Sequence, residues 1–284
     1  MYNKTPLPVR SILFLPATKL DKWHHAVESG ADSICIDLED SVGLDKKDYA
    51  RKKVISFFKK HKSFPITLSV RINPINTFAG LKDFKALLET DTIPGALMIP
   101  KVCYSRDIQI INDVLDEHKS QCTIIAIIET VEGLRNTSQI LEHPRCRGAI
   151  FGGIDLAQQI GCKPSWNTLV THRSNFVRDA VGKNVTLIDT PHFALDDKEG
   201  LAEETRLALE LGFNAKAAIH PNHISIIQNI FTPSKDEIKE AKQMIREFNK
   251  YGGQVIQFKG KVIEKPVIES AKQMLAYVKE FPKD

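Results

Sequence analysis

The chain has 284 residues, 42% hydrophobic and 26% charged, the balance of an ordinary globular protein long enough to bury a large core. Lys and Arg number 39 against 35 Asp and Glu, a formal net charge of +4; so mild and dispersed an excess argues against a nucleic-acid partner and is compatible with an anionic small molecule. Five cysteines, at 35, 103, 122, 146 and 162, make no Cys-x-x-Cys pair, which argues for reduced thiols in a cytoplasm; residues 1–10 hold no apolar leader core, and no run approaches the ~20 apolar residues of a membrane span.

In chain order, short apolar runs alternate with longer amphipathic stretches. Ser11–Pro16 predicts a first strand and Lys19–Ser29 a helix. Ser33–Glu39 predicts a second strand, before a helix over Lys46–Lys60. Ile66–Asn73 and Gly95–Lys101 read as strands three and four, followed by a helix over Ser105–Lys119. Thr123–Thr130 and Gly148–Gly153 read as strands five and six. Beyond them come a helical turn, a loop with Pro164 and Trp166, and a helix from about Asn167. Thr186–Thr190 and Ala215–Pro221 read as strands seven and eight, separated by a helix over Lys198–Leu211. Most of these runs are nearly continuous in Val, Ile, Leu and Ala, as parallel strands covered on both faces are. Eight strand–helix units predict an α/β fold, a TIM (β/α)8 barrel over residues 1–250, with an open doubly wound sheet as the alternative. Two further helices, near His223–Ile230 and over Lys235–Lys250, precede the pair Gly252-Gly253. Residues 251–284 then predict a C-terminal helical extension or lid, with the glycines as its hinge.

Active sites of such barrels lie at the C-terminal ends of the strands, and the polar residues here gather there. The ends read Asp37-Leu38-Glu39-Asp40, Arg71-Ile72-Asn73, Lys101, Glu129-Thr130, Gly152-Gly153-Ile154-Asp155, Asp189-Thr190-Pro191-His192 and His220-Pro221. Glu129 and Asp155, on adjacent strands, are candidate metal ligands. Few hard oxygen ligands with room for water describe Mg²⁺ better than zinc or calcium. Gly152 and Gly153 let the backbone approach closely. Arg71 can clamp a carboxylate or an enolate oxygen, or instead pair with Asp37 or Glu39. Asp37 and Glu39 face one side of their strand and can hold metal-bound water, or pair with Arg10, Arg51 or Lys101. Lys101 is either a Schiff-base nucleophile or an ion-pair partner, and His220 reads as structural.

The ordered set Arg10-Ser11-Ile12-Leu13-Phe14-Leu15-Pro16, Gly30-Ala31-Asp32, Asp37-Leu38-Glu39-Asp40-Ser41-Val42, Val70-Arg71-Ile72-Asn73-Pro74, Pro100-Lys101, Ile128-Glu129-Thr130, Gly153-Ile154-Asp155-Leu156-Ala157 and Ala218-Ile219-His220-Pro221 resembles the citrate lyase beta-subunit-like branch of the aldolase/citrate lyase superfamily. The resemblance runs from about residue 10 to 245. It implies a TIM barrel, usually trimeric, that uses Mg²⁺ to cleave or form a hydroxyacyl-CoA thioester such as citryl-, malyl- or citramalyl-CoA. Residue by residue, it implies Glu129 and Asp155 as metal ligands, Arg71 as the substrate arginine, and the backbone at Asp155 and Leu156 as a contact for the small acid. Phe14, Lys19 and Pro191 fall near the positions lining the CoA site. The chain departs at Gly260-Lys261-Val262-Ile263-Glu264-Lys265-Pro266, where relatives carry an aspartate that reaches a neighbour's site; Glu264 is one methylene longer. A CoA-independent Mg²⁺ aldolase of 2-oxo acids and a non-catalytic ligand-binding subunit are the alternatives.

Overall fold

A computed structural model describes residues 5–61, 63–90 and 93–281. Eight parallel strands close into a barrel in sequence order: β1 (Ser11–Pro16), β2 (Ser33–Asp37), β3 (Thr67–Arg71), β4 (Ala96–Ile99), β5 (Thr123–Ile128), β6 (Cys146–Phe151), β7 (Thr186–Asp189) and β8 (Ala215–Ala218). β8 returns to β1 through the pairs Ser11–Lys216 and Leu13–Ala218. The helices around and after them are α1 (Trp23–Glu28), α2 (Lys47–Lys60), α3 (Phe78–Leu88), α4 (Ser105–Glu117), α5 (Val131–Arg135), α6 (Thr137–Leu141), α7 (Gly153–Ile160), α8 (Trp166–Asp179), α9 (Lys198–Leu211), α10 (Ile224–Phe231), α11 (Lys235–Lys250) and α12 (Lys265–Glu280). Most strands pair for one to three residues less than their apolar runs predict, because the chain turns out of the ladder where its polar ends begin. The helix expected over Lys19–Ser29 is split into a 3-10 stretch, Ala17–Lys22, and α1. Among the described residues no helix is long and apolar enough to cross a membrane.

The barrel interior is packed by alternate residues of each strand: Ile12, Cys35, Ala96 and Met98, Ile125 and Ile127, Ile150, Ile188, Ala215 and Ala217. Side chains of a strand alternate between its faces. The row therefore continues inward, two residues on, at Phe14, Asp37, Glu129, Gly152, Thr190 and Ile219. On β3, Ser69 and Arg71 hold the equivalent places. One arithmetic thus fills the core and furnishes the mouth.

The same arithmetic turns Asp189 and Lys216 outward, against the helices. Both are fully buried, with Lys216 Nζ 2.6 Å from Asp189 Oδ2 and Arg173 Nε of α8 2.8 Å from Asp189 Oδ1. Asp189, expected among the mouth residues, is thus part of the wall. His192 likewise turns away from the barrel axis to Glu204, at 2.9 Å.

The chain divides between Gln228 and Asn229 into two compact units. In the second, Met244, Ile245 and Phe248 of α11 pack with a hairpin, β9 (Ile256–Phe258) and β10 (Lys261–Ile263), and with Ile268 of α12. The extension expected to begin at 251 falls inside this unit. Gly252 and Gly253, with φ of +67° and +78°, cap α11: their N–H groups donate to Asn249 and Phe248, both at 3.0 Å. Glycine accepts this left-handed backbone without penalty. The pair expected as a hinge caps the helix in this structure, and the residues beyond it fold back onto α11.

Candidate active site

The inward rows open into a cavity of about 480 Å³ lined by Phe14, Pro16, Asp37, Asp40, Ser41, Arg71, Glu129, Gly152, Ile154, Asp155, Thr190, Pro191, Phe193 and apolar residues beneath. Of the residues singled out in the sequence, Arg71, Asp37, Glu129, Asp155, Phe14 and Pro191 meet here. Glu39 reaches the same group through Arg71 and Lys101.

Arg71 is held on three sides. Its Nε and Nη2 donate to the two oxygens of Asp37 at 2.6 and 2.7 Å, a bidentate clamp. Its Nη1 donates to Asp40 at 3.2 Å and lies 2.9 Å from Glu39 Oε2 in an ion contact without hydrogen-bond alignment. The guanidinium carbon lies 5.0 Å from the centre of the Phe14 ring, a cation–π contact. Asp37 also accepts the N–H groups of Glu39 and Ser41, at 2.9 and 3.1 Å. Burial raises its carboxyl pKa, but Arg71 and these N–H groups outweigh burial and hold it below the ordinary carboxylate range. Asp37 is the anchor of Arg71. Arg10 and Arg51, considered as its partners, pair instead with Asp32 and with Asp48 and Asp83.

Glu129 lies between β5 and α5. Thr130 is the N-cap of that helix, accepting from Gly133 N, so Glu129 is free of the helix start and turns into the mouth. It is 3% exposed and accepts the Lys101 N–H at 2.8 Å. A Cβ on Gly152 would meet Glu129 Cβ at 2.3 Å and Oε2 at 2.8 Å, so only glycine admits the carboxylate there. Asp155 is in the first turn of α7, its carboxylate 3.2 Å from Lys101 Nζ. Leu156 is buried and donates its N–H to Gly152 O. The donors at the start of α7 without an intrahelical acceptor are those of Gly153, Ile154 and Asp155, a place suited to a small carboxylate.

The charge balance is lopsided. Five carboxylates, Asp37, Glu39, Asp40, Glu129 and Asp155, face Arg71 and Lys101, with the Lys47 ammonium beside them on the Leu38 and Glu39 carbonyls at 2.9 and 2.7 Å. Burial first, then the neighbouring acids, push the carboxyl of Glu129 up to about 8; burial likewise raises Glu39 to about 7. Burial lowers Lys101, but Glu129, Glu39 and Asp155 outweigh it and keep the ammonium charged. In this structure Lys101 is the ion-pair partner of Glu39 and Asp155, at 3.4 and 3.2 Å. Hard carboxylate oxygens with space around them fit Mg²⁺, which is held by one or two carboxylates and keeps several waters. Among the described residues no group of three or more His, Cys, Asp or Glu is placed to cage an ion.

Lys19 is exposed beyond β1 and absent from the cavity lining. His220 is structural, its Nδ1 accepting from Asn222 N at 3.2 Å. Glu264 is exposed at the N-cap of α12, in the second unit. Sequence reasoning put Thr190 and Ile154 at strand ends without a role and passed over Phe193, all three of which line the cavity; counting by two from Ile188 points Thr190 inward.

A parallel barrel with an anchored guanidinium and two carboxylates at its C-terminal mouth is the architecture of an enzyme that works on a small anion. The chain belongs to the HpcH/HpaI aldolase/citrate lyase family, which residues 10–221 match. It is 30% identical over 274 residues to a (3S)-malyl-CoA thioesterase of Cereibacter sphaeroides, covering 95% of this chain and 94% of that protein. It is 28% identical to the mitochondrial citramalyl-CoA lyase of Homo sapiens, covering 93% and 84%. A solved citrate lyase beta subunit of Mycobacterium tuberculosis, complexed with oxaloacetate and magnesium, superposes with a TM-score of 0.67 at 25% identity, covering 82% of this chain and 99% of that one.

Proposed function

We propose that this protein is a Mg²⁺-dependent carbon–carbon lyase that cleaves or forms a small hydroxyacyl-CoA thioester, with an acyl-CoA and a 2-oxo acid as the fragments. The observation that carries this reading is the excess of buried carboxylate beside an anchored arginine, a charge pattern that a divalent ion completes. Relatives named for malyl-CoA and citramalyl-CoA support the substrate class, and the magnesium and oxaloacetate of the similar beta subunit support the cofactor.

Glu129 and Asp155 would hold the ion, leaving its other positions to water and substrate. A divalent ion held there would supply Lewis-acid polarisation of the substrate hydroxyl. The N–H groups opening α7, up to Asp155 and ahead of Leu156, take the acid's carboxylate. Arg71, oriented by Asp37, offsets the negative charge on the departing acyl-CoA fragment. Phe14 and Pro191 flank the cavity where the thioester enters; Lys19, outside that lining, is proposed to meet the CoA end of the substrate. Glu39, and Glu264 from the second unit of a neighbouring subunit, are the acids proposed to move protons. The working assembly is a homotrimer in the cytoplasm, taking its acyl group on CoA or on an acyl carrier.

The test is incubation with Mg²⁺ and a panel of citryl-, malyl- and citramalyl-CoA, with products read by mass spectrometry. A lyase yields acyl-CoA and 2-oxo acid and stops when EDTA is added. Release of free CoA would mark a hydrolase instead. Turnover of free 2-oxo acids with every thioester untouched would overturn the reading in favour of a CoA-independent aldolase.

A further inference from the structure

Lys101 is attached to the site twice, by different parts of itself. Its backbone N–H donates to Glu129 Oε1 at 2.8 Å. Its ammonium lies 3.2 Å from Asp155 Oδ1 and 3.4 Å from Glu39 Oε1. The residue adopts φ +54°, in the left-handed region that side chains other than those of Asn and Asp seldom enter. Such a backbone persists where its surroundings hold it, and here it turns the N–H toward one proposed metal ligand and the side chain toward the other.

We propose that Lys101 is a built-in counter-cation: its ammonium and the divalent ion are alternative occupants of one acidic pocket, and the metal binds by displacing it. The inference rests on Glu129 and Asp155 being the ligands. Two cations drawing on the same Asp155 oxygen repel one another at short range and in a half-buried setting. The ammonium is the one that can leave. It is a point charge on a flexible four-carbon stem, its side chain is 38% exposed, and both its contacts are at the long end of hydrogen bonding. The backbone bond to Glu129 need not break when the side chain swings away. One residue thus keeps the carboxylates from splaying apart and continues to orient Glu129 when the ion arrives.

A purely supporting lysine predicts the opposite mutational result, because its loss would let the acids separate and weaken the site. The experiment uses the full chain stripped of metal, with Mn²⁺ binding followed by electron paramagnetic resonance and calorimetry at one fixed pH. Lys101→Gln is expected to bind Mn²⁺ about tenfold tighter than wild type, the effect of removing one competing unit charge from a partly solvated pocket. Lys101→Arg, which keeps the charge, stays near wild type. Lys101→Asn guards against misfolding of the glutamine variant, since asparagine tolerates the left-handed backbone, and is expected to tighten binding as well. A crystal structure with Mn²⁺ should show the ammonium beyond hydrogen-bond reach of Asp155 and the Lys101 N–H still on Glu129. Unchanged or weaker binding by both neutral variants, or an ammonium still bonded to Asp155 beside the metal, overturns the proposal. Asp155→Asn separates the two levels: wild-type affinity in that variant would overturn the assignment of the ligands, whereas its loss of binding leaves Lys101 alone on trial.

Discussion

Arg71 is held in a fixed seat. Asp37 grips two of its nitrogens, Phe14 covers one face, and Glu39 and Asp40 hold the third nitrogen. A guanidinium so placed need not reorganise when charge develops beside it, which is what makes preorganised donors effective. Arg71→Lys keeps the charge and loses the planar fork; kcat should fall about 100-fold or more with far less change in KM. An unchanged kcat with a raised KM would show that the arginine only binds substrate. Asp37→Asn should have a milder effect in the same direction, because it loosens the seat and leaves the guanidinium in place.

At the scale of elements, two junctions position the chemistry. The first is β6 into α7, where Gly152 lies under the Glu129 carboxylate. Gly152→Ala should abolish Mg²⁺ binding by calorimetry and lower the melting temperature, since the new Cβ would meet the Cβ and Cα of Glu129, which cannot move without the end of β5. The second is the outer face of β7 and β8, where Asp189 bridges Arg173 and Lys216. Removing one partner of a buried ion pair strands the others, at about 3–5 kcal/mol. Asp189→Asn should lower the urea midpoint accordingly, with Mg²⁺ affinity little changed in the folded fraction. Burial raises the Asp189 carboxyl pKa, but Lys216 and Arg173 outweigh burial and hold it below its ordinary value. A depressed folded pKa means the stabilisation is complete above the unfolded pKa of about 3.9 and is lost as pH falls toward the folded one. Acid unfolding should show this step in the wild type and not in Asp189→Asn.

For the whole molecule, the question is how the second unit joins the chemistry. Its own core ties α11, the hairpin and α12 together, so Glu264 travels with the unit and not on a loose tail. If Glu264 completes a neighbouring subunit's site, Glu264→Ala and Asp155→Ala chains, each inactive alone, should regain part of the activity when mixed, because a mixed trimer holds one intact site. Failure of that rescue in trimers shown to exchange subunits would confine Glu264 to its own chain or remove it from the reaction.

The eight-stranded barrel was legible in the sequence, because a strand buried on both faces must be apolar at nearly every position, and such a run announces itself. So were Arg71, Glu129 and Asp155, since polar residues at the ends of such runs fall at one mouth. The direction of each side chain was not legible. Asp37 and Asp189 both close apolar strands, yet one anchors Arg71 at the mouth and the other braces the wall. That choice depends on the inward or outward phase of each strand, which is set by its register with two neighbours. Partners far apart in the chain were hidden for the same reason. Lys101 bridges Glu39 and Asp155, and Gly252-Gly253 caps α11, because tertiary packing decides which distant groups meet and which faces a turn must bring together.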